Sequence, residues 1–226
     1  ILQKIDAVAS RLSTPTAFFM GKLQDGLALD PLTGFSRKLI PFFSHHRYAR
    51  QILLTKSDRV ENLLELDHAR NTILCWSLSP PELASVYEPN TPPVDSRIEA
   101  MRLCAAKGYR IRVLVQPVIR CPGWEELYAD LVQRLVAELP VERLSFGSFY
   151  QNPRVSYLAK EKLGRDFGLF AARGKVPTCS TERMYGREYR LSRYREPTRA
   201  ALSVRPDLDI ARSEEHTSEL QSPYVI

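Results

Sequence analysis

The sequence predicts an α/β fold in which parallel strands and outer helices form a partial (β/α) barrel. Apolar runs of strand length alternate with helical segments in units of roughly 25–40 residues, as in chains built from βα units. Parallel strands joined by right-handed crossovers form either a barrel or an open doubly wound sheet. Neither a Gly-x-Gly-x-x-Gly motif nor a phosphate-loop lysine follows any strand, which disfavours a nucleotide-binding open sheet.

Five apolar runs are predicted to be the strands of this barrel. They cover residues 17–20, 51–55, 71–77, 110–116 and 143–148. The fourth run alternates loosely and then becomes apolar, as a parallel strand that is buried on two faces does.

Helical segments are predicted between these strands and after the last one. They cover residues 33–43, 58–67, 94–107, 124–139 and 153–163, and the chain also starts in a helical pattern. Asp58 and Glu61 have the spacing of a capping box at the start of the second segment. The third segment carries an apolar stripe and stops at Gly108, and the fourth stops at Pro140. The proline-rich residues 80–93 are predicted to form an extended link.

Composition indicates one globular domain in a reducing compartment. The chain has 226 residues, 44% hydrophobic and 26% charged, and its apolar runs are too short to cross a bilayer. No secretory signal precedes the first strand, and the four cysteines have no metal-ligand spacing, so we expect a cytoplasmic protein with free thiols. The net charge of +6 permits an anionic partner without identifying one.

The chain divides into three predicted segments. Residues 1–166 form the partial barrel, and residues 167–211 form a basic segment of uncertain reading frame in which arginines and tyrosines interleave. Residues 212–226 read like the translation of a sequencing adaptor and are left out of the functional reasoning. Because the chain starts at Ile1 rather than at a methionine, we expect its true N-terminus to lie upstream.

Polar residues at several strand ends predict one shared ligand site, because ligands bind where parallel strands end. Lys56 follows the second strand and is placed to meet a carboxylate or phosphate. Ser77 and Ser79 offer hydroxyls to a ribose or carboxylate after the third strand, and Gln116 and Pro117 end the fourth. No residue is assigned as catalytic, and no metal ligand is assigned.

Asp25 and Asp30 follow the first strand and allow two interpretations. Their carboxylates are able to accept hydrogen bonds from a ligand amine or hydroxyl, or to cap the helix that follows. Trp76 and Trp124 are predicted to be packed wall residues whose indole N–H groups find partners.

The strand-end motifs also carry a family resemblance over residues 1–166. The matching pieces, in order, are Leu54-Thr55-Lys56-Ser57-Asp58, Trp76-Ser77, Glu88-Pro89-Asn90-Thr91, Arg97, Gly108-Tyr109 and the stretch from Pro117 to Gly123-Trp124. In this order and spacing the chain resembles the spore photoproduct lyase family of radical S-adenosylmethionine (SAM) enzymes. The resemblance implies a partial barrel of the radical SAM type.

The resemblance also implies a reaction, its cofactors and its substrate. In this family a [4Fe-4S] cluster, held by a CxxxCxxC loop, reductively cleaves SAM. The resulting 5′-deoxyadenosyl radical abstracts a hydrogen atom from the spore photoproduct, a thymine dimer in UV-damaged DNA. The crosslink of the dimer then fragments to give two thymines. By resemblance Lys56 contacts SAM, Ser77 bonds its ribose or carboxylate, and Gln116 and Pro117 lie beside its adenosine.

The sequence departs from the family in ways that bear on activity. It holds no CxxxCxxC loop, so we expect the chain alone to be inactive. None of its cysteines matches the hydrogen-donor cysteine of true lyases. Many relatives have Gly-Glu where this chain has Gly21-Lys22, and a lysine there would repel the SAM ammonium.

Two alternative functions remain open at the level of sequence. The first is a radical SAM relative that acts on another substrate. The second is a non-catalytic nucleic-acid-binding module led by the arginine and tyrosine residues after Asp166, which would bind DNA with a steep salt dependence.

Overall fold

Six parallel strands form one open sheet in the part of the chain that the computed structural model describes, namely residues 2–21, 24–148, 150–151, 157, 161–162, 183–184 and 187–212. The strands are β1 (Thr16–Met20), β2 (Ala49–Thr55), β3 (Thr72–Leu78), β4 (Arg110–Val118), β5 (Val141–Ser148) and β8 (Asp209–Arg212), and they lie side by side in that order. A separate antiparallel pair joins β6 (Tyr150–Gln151) to β7 (Arg183–Met184).

The described helices lie between these strands. They are α1 (Leu2–Ala9), α2 (Asp30–Thr33), α3 (Ser36–Ser44), α4 (Pro81–Tyr87), α5 (Val94–Ala106), α6 (Trp124–Glu138) and α7 (Arg187–Val204). Every neighbouring pair in the main sheet is parallel, and the described strands do not close on themselves. The predicted α/β partial barrel with outer helices is therefore confirmed.

The main core lies between the sheet and the helices that follow its strands. It joins Leu74 and Trp76 of β3 and Val113 and Val115 of β4 to helix residues such as Met101, all fully buried. A smaller cluster packs α1 and α3 against the start of the sheet, and consists of Ile5, Ala9, Phe18, Phe43 and Ala49. The alternation along β3 and β4 therefore sends every second side chain into the helix layer.

The predicted strands are confirmed within a few residues, whereas the helices need three corrections. The helix predicted over residues 33–43 is α3, which begins at Ser36 rather than at residue 33, because Gly34 adopts a left-handed conformation with φ of 59° and ends a separate short helix, α2. The link predicted to be extended contains α4, which starts at Pro81, a residue that suits the first turn of a helix. The helices at 94–107 and 124–139 are confirmed as α5 and α6.

The helix predicted over residues 58–67 is wrong, since this stretch forms turns. The backbone N–H of Ser57 donates to the Thr55 hydroxyl at 2.9 Å, and that of Arg59 donates to the Ser57 hydroxyl at 3.1 Å. Hydroxyls that bind nearby backbone groups compete with helix formation. Val60 and Leu63 are still buried, so the apolar pattern marked core residues without marking a helix.

The sheet contains a sixth strand, β8, which pairs in parallel with β5. The basic helix α7 precedes it, and Tyr194 and Ala201 of that helix are fully buried in the main core. The boundary predicted at residue 166, the helix end predicted at residue 163 and the adaptor-like residues 213–226 lie outside the described ranges. Within those ranges, no helix has the length and apolar character that crossing a membrane requires.

Candidate active site

The carboxyl ends of β2 to β5 bring together polar side chains on the face opposite the helix layer. Leu74 and Trp76 of β3 point into the core, so the intervening Cys75 and the next residue, Ser77, lie on the other face. Ser77 pairs with Leu114 of β4, and Gln116 is two residues further along the same face. Lys56 directly follows β2. The sequence-predicted residues thus share one edge of the sheet.

A buried carboxylate, that of Glu88, holds two of these residues. The Lys56 ammonium donates to Glu88 Oε1, and the Ser79 hydroxyl donates to the same oxygen at 3.1 Å. The Glu88 side chain is only 8% exposed, whereas the Lys56 side chain is 31% exposed and reaches the mouth of the sheet. Ser79 itself is buried. The carboxylate therefore lies beneath the edge and the ammonium at its surface.

Arg97 of α5 binds the other oxygen of the Glu88 carboxylate from the buried side. Its Nη1 donates to Glu88 Oε2 at 2.7 Å, and its side chain has no exposed surface. The same guanidinium donates to the carbonyls of Pro92 at 2.8 Å and Ser77 at 3.3 Å, and to the Thr91 hydroxyl. One side chain thus ties the helix, the loop before it and the end of β3 together.

Two cations set the charge state of the Glu88 carboxylate. Burial alone would raise the pKa of Glu88, but the hydrogen bonds and charges of Lys56 and Arg97 outweigh burial and hold that pKa below its usual value. Glu88 is therefore ionised at neutral pH. Glu88 contacts two cations, and the ammonium of Lys56, the more exposed of the two, is available to an anionic ligand group.

The Gln116 side chain packs closely against Gly147 of β5. A β-carbon added to Gly147 would lie 2.5 Å from Gln116 Cδ, so the side chain of Gln116 occupies the space that a larger residue would need. The next residue, Pro117, accepts a hydrogen bond from the Tyr128 hydroxyl at 3.1 Å, and that hydroxyl accepts one from the N–H of Ile119 at 2.9 Å. Tyr128 thus fixes the chain just beyond this end of β4.

Asp25 and Asp30 serve the protein's own loops, which favours the structural interpretation of both. The Asp25 carboxylate accepts from the N–H groups of Leu27 and Ala28, both at 2.8 Å, and from Thr55 Oγ1 at 2.7 Å and Lys56 N at 2.6 Å. Three of these four bonds end on Oδ1 and one on Oδ2, so the carboxylate binds mainly to the backbone and side chains around its own loop.

Asp30 is buried and caps α3. It accepts from the N–H of Ser36 at 2.8 Å and from the Ser36 hydroxyl at 2.7 Å. Asn62 donates to the same carboxylate at 3.0 Å. These contacts fix the loop after β1 and leave Lys56, Ser77 and Gln116 as the polar side chains that face the mouth.

The packed-wall prediction for the tryptophans is confirmed for burial. Trp76 has no exposed surface and its indole N–H donates to the Ser57 carbonyl at 2.9 Å, and Trp124 is also buried. The Trp76 bond ties the end of β3 to the residue after Lys56. The two strand ends that carry Lys56 and Ser77 are therefore held at a fixed separation.

The arginine and tyrosine residues near the C-terminus do not all face outward. Tyr194 has no exposed surface and stacks on Phe146 with ring centroids 6.0 Å apart, so it is not available to stack on a base. Arg193 is buried and donates to the Val118 carbonyl at 2.9 Å. These contacts make α7 part of the core and remove Arg193 and Tyr194 from a nucleic-acid surface, whereas Arg199 of the same helix is 75% exposed.

The described residues fit SAM better than they fit an iron–sulfur cluster. An ammonium, a hydroxyl and an amide at one sheet edge are suited to the carboxylate, ribose and adenine of SAM. Within the described ranges, no three cysteine, histidine or carboxylate side chains lie close enough to hold a metal. Cys104 is buried in α5, with burial raising its thiol pKa to about 12, so it is not a ready thiolate ligand. These residues do not fit a [4Fe-4S] cluster.

Glu88 and Arg97 belong to the motifs that carry the family resemblance, but neither residue has a predicted role from the sequence alone. A signal for Arg97 was present, because it lies on the buried stripe that Val94, Ile98 and Met101 form along α5. An arginine on a buried stripe needs a carboxylate partner. Glu88 is nine residues away, but nothing in the sequence indicated that it would meet Lys56 as well.

Comparison with known proteins identifies the family. The family model described as spore photoproduct lyase matches residues 1–160. Spore photoproduct lyase of Geobacillus sp. (strain Y412MC61) is 32% identical over 124 residues, which are 55% of this chain and 36% of that protein. The Bacillus subtilis (strain 168) enzyme is 32% identical over 125 residues, with the same shares. The chain thus spans about a third of the length of these curated relatives.

Solved structures share the fold. A spore photoproduct lyase complexed with dinucleoside spore photoproduct matches with a TM-score of 0.80 and 22% identity, over 92% of this chain and 64% of that one. A mutant lyase with bound AdoMet and dinucleoside spore photoproduct matches with a TM-score of 0.77 and 21% identity. The family match covers most of the chain and includes every residue of the strand-end site. This chain belongs to the spore photoproduct lyase family of the radical SAM superfamily.

Proposed function

We propose that this protein is a radical SAM DNA-repair lyase that reverses the spore photoproduct thymine dimer. The observation that carries the proposal is the family match over residues 1–160, within which the strand ends assemble the cationic Lys56 edge. Solved relatives are described with dinucleoside spore photoproduct and with AdoMet, which supports both the substrate class and the cofactor.

Each residue of the edge has a proposed part in binding SAM. An ammonium has three N–H donors and Glu88 takes one, so Lys56 keeps donors for the SAM carboxylate. The Ser77 hydroxyl would bond the ribose or the carboxylate, and Gln116 and Pro117 would lie beside the adenosine. Ser79 is the deepest predicted contact, since its hydroxyl already donates to Glu88.

The proposal also includes a [4Fe-4S] cluster. Its ligands would have to come from outside the described residues, since those residues do not fit one. The chain's own contribution is therefore to bind SAM, to orient it at the sheet edge and to keep water from it.

UV-damaged DNA is the proposed partner, and the cytoplasm is the proposed place of action. The lesion would have to leave the base stack to reach the edge of the sheet, as in other enzymes that act on bases. The net charge of +6 would assist an encounter with the phosphate backbone.

The direct test is a repair assay on the protein expressed from its complete reading frame, with its [4Fe-4S] cluster reconstituted under anaerobic conditions. With SAM and a reductant, we expect dinucleoside spore photoproduct to be converted to thymidylyl-thymidine, measured by liquid chromatography. The matched control omits SAM and should give no product. Binding and cleavage of SAM without release of the thymines would instead support the relative that acts on another substrate.

A further inference from the structure

One carboxylate, that of Glu88, serves three partners of different kinds at the proposed site. Its Oε1 accepts from the Lys56 ammonium and the Ser79 hydroxyl, and its Oε2 accepts from the buried guanidinium of Arg97. Nothing in the proposed function gives Glu88 a task. Its side chain is 8% exposed and lies below the ammonium.

The partners of Glu88 differ in how firmly they are held. Arg97 has no exposed surface and is bonded to two backbone carbonyls, so the side of the carboxylate that it contacts is fixed. Lys56 is 31% exposed and has a flexible four-carbon stem, whose ordering costs conformational entropy. Arg97 therefore fixes the Glu88 carboxylate, and Glu88 in turn holds the ammonium of the more exposed Lys56 in place.

Glu88 also decides what its two other partners are able to offer a ligand. Because the Ser79 hydrogen is directed at the carboxylate, the oxygen of Ser79 is left with lone pairs only and acts as an acceptor. Lys56 remains a donor. Since Ser79 is buried, Lys56 is the partner of Glu88 that reaches the mouth, and its ammonium suits the carboxylate of an amino acid, which accepts.

We propose that Glu88 is a positioning residue for the amino-acid end of SAM. It holds the Lys56 ammonium where the carboxylate of the ligand arrives, and it orients the hydroxyl of Ser79. The inference rests on the proposed function, because it takes SAM as the ligand. It differs from a simple effect of charge, since removing Glu88 would make the site more positive and strengthen attraction to a carboxylate.

The test compares two thioethers, both with an uncharged sulfur, that differ in the amino-acid group. S-adenosylhomocysteine has it, and 5′-methylthioadenosine does not. Both would be titrated by calorimetry into the protein expressed from its complete reading frame, as wild type, Glu88→Gln and Glu88→Asp. We expect each variant to bind S-adenosylhomocysteine about tenfold or more weakly, the loss of a charge-assisted hydrogen bond, and 5′-methylthioadenosine within about twofold of wild type.

The two variants and one control make the result decisive. In the Glu88→Gln variant one of the two carboxylate oxygens becomes an NH2 donor, which cannot accept a hydrogen bond from the cation that it faces, whether Arg97 or Lys56. Aspartate keeps the negative charge beside Arg97 but is one methylene shorter, so it no longer holds Lys56 in the same place. Glu88→Asp therefore tests the positioning role even if Glu88→Gln does not fold. Glu99→Gln removes an exposed partner of Arg102 on α5 and should change neither affinity.

Equal losses for both thioethers, or tighter binding of S-adenosylhomocysteine by the variants, would overturn the positioning role. Failure of the wild-type protein to bind SAM and S-adenosylhomocysteine at all would instead overturn the proposed cofactor.

Discussion

Replacing Arg97 with methionine should destabilise the protein strongly, because Arg97 neutralises a buried carboxylate. Arg97 has no exposed surface and donates to Glu88, to the Thr91 hydroxyl and to two carbonyls. Methionine fills the space of the methylene stem but leaves these acceptors without a donor. Breaking a buried ion pair in this way costs about 3–5 kcal/mol. For a chain of this size, that loss lowers the melting temperature by roughly 10 °C.

Urea denaturation followed by tryptophan fluorescence measures this loss, since Trp76 and Trp124 are both buried. The matched control is Arg102→Met on the same helix, where the side chain is 47% exposed and pairs with Glu99 and Glu138 at the surface. That change should cost at most about 1 kcal/mol. If Arg97→Met costs no more than Arg102→Met, the buried cluster does not hold this part of the fold together.

Three further predictions concern acid stability, thiol reactivity and the glycine of β5. The pKa of Glu88 is lower in the folded protein than in the unfolded chain, so its contribution to stability is present above the unfolded value near about 4.3 and is lost as pH falls through the lower folded value. Glu88→Gln should therefore flatten the acid limb of the stability curve, and an unchanged limb would contradict this. Cys104 is buried with a thiol pKa of about 12, so peptide mapping after brief alkylation at pH 8 should find label on the partly exposed Cys121 before Cys104, and the reverse order would be inconsistent with the packing of α5. Gly147→Ala should displace Gln116 and weaken SAM binding by roughly threefold to tenfold, the value of one neutral hydrogen bond, and an affinity equal to that of the wild type would remove Gln116 from the site.

The sheet could be predicted from the sequence because its signals are local. The apolar runs that became β2, β3 and β4 are bounded by polar residues, and parallel strands leave those residues at one edge. β8 was missed because it has four residues and follows a basic helix, so no run of apolar residues marked it.

The errors and omissions arose where long-range contacts or side-chain bonds decide the structure. The stretch after Lys56 has a helical apolar pattern, but the hydroxyls of Thr55 and Ser57 bind its backbone and a turn forms. The meeting of Lys56 with Glu88 joins residues 32 positions apart, which no periodicity encodes. The sequence therefore indicated the candidate residues individually, whereas their mutual bonds required the fold.

The most direct test of the account is whether SAM binds at the Lys56 edge. Equilibrium dialysis with radiolabelled SAM would compare wild type, Lys56→Met and Lys107→Met, where Lys107 is an exposed lysine that pairs with Glu65. We expect saturable binding by wild type and Lys107→Met, and an affinity about tenfold or more weaker for Lys56→Met. Equal binding by all three proteins, or no binding by the wild type, would contradict it.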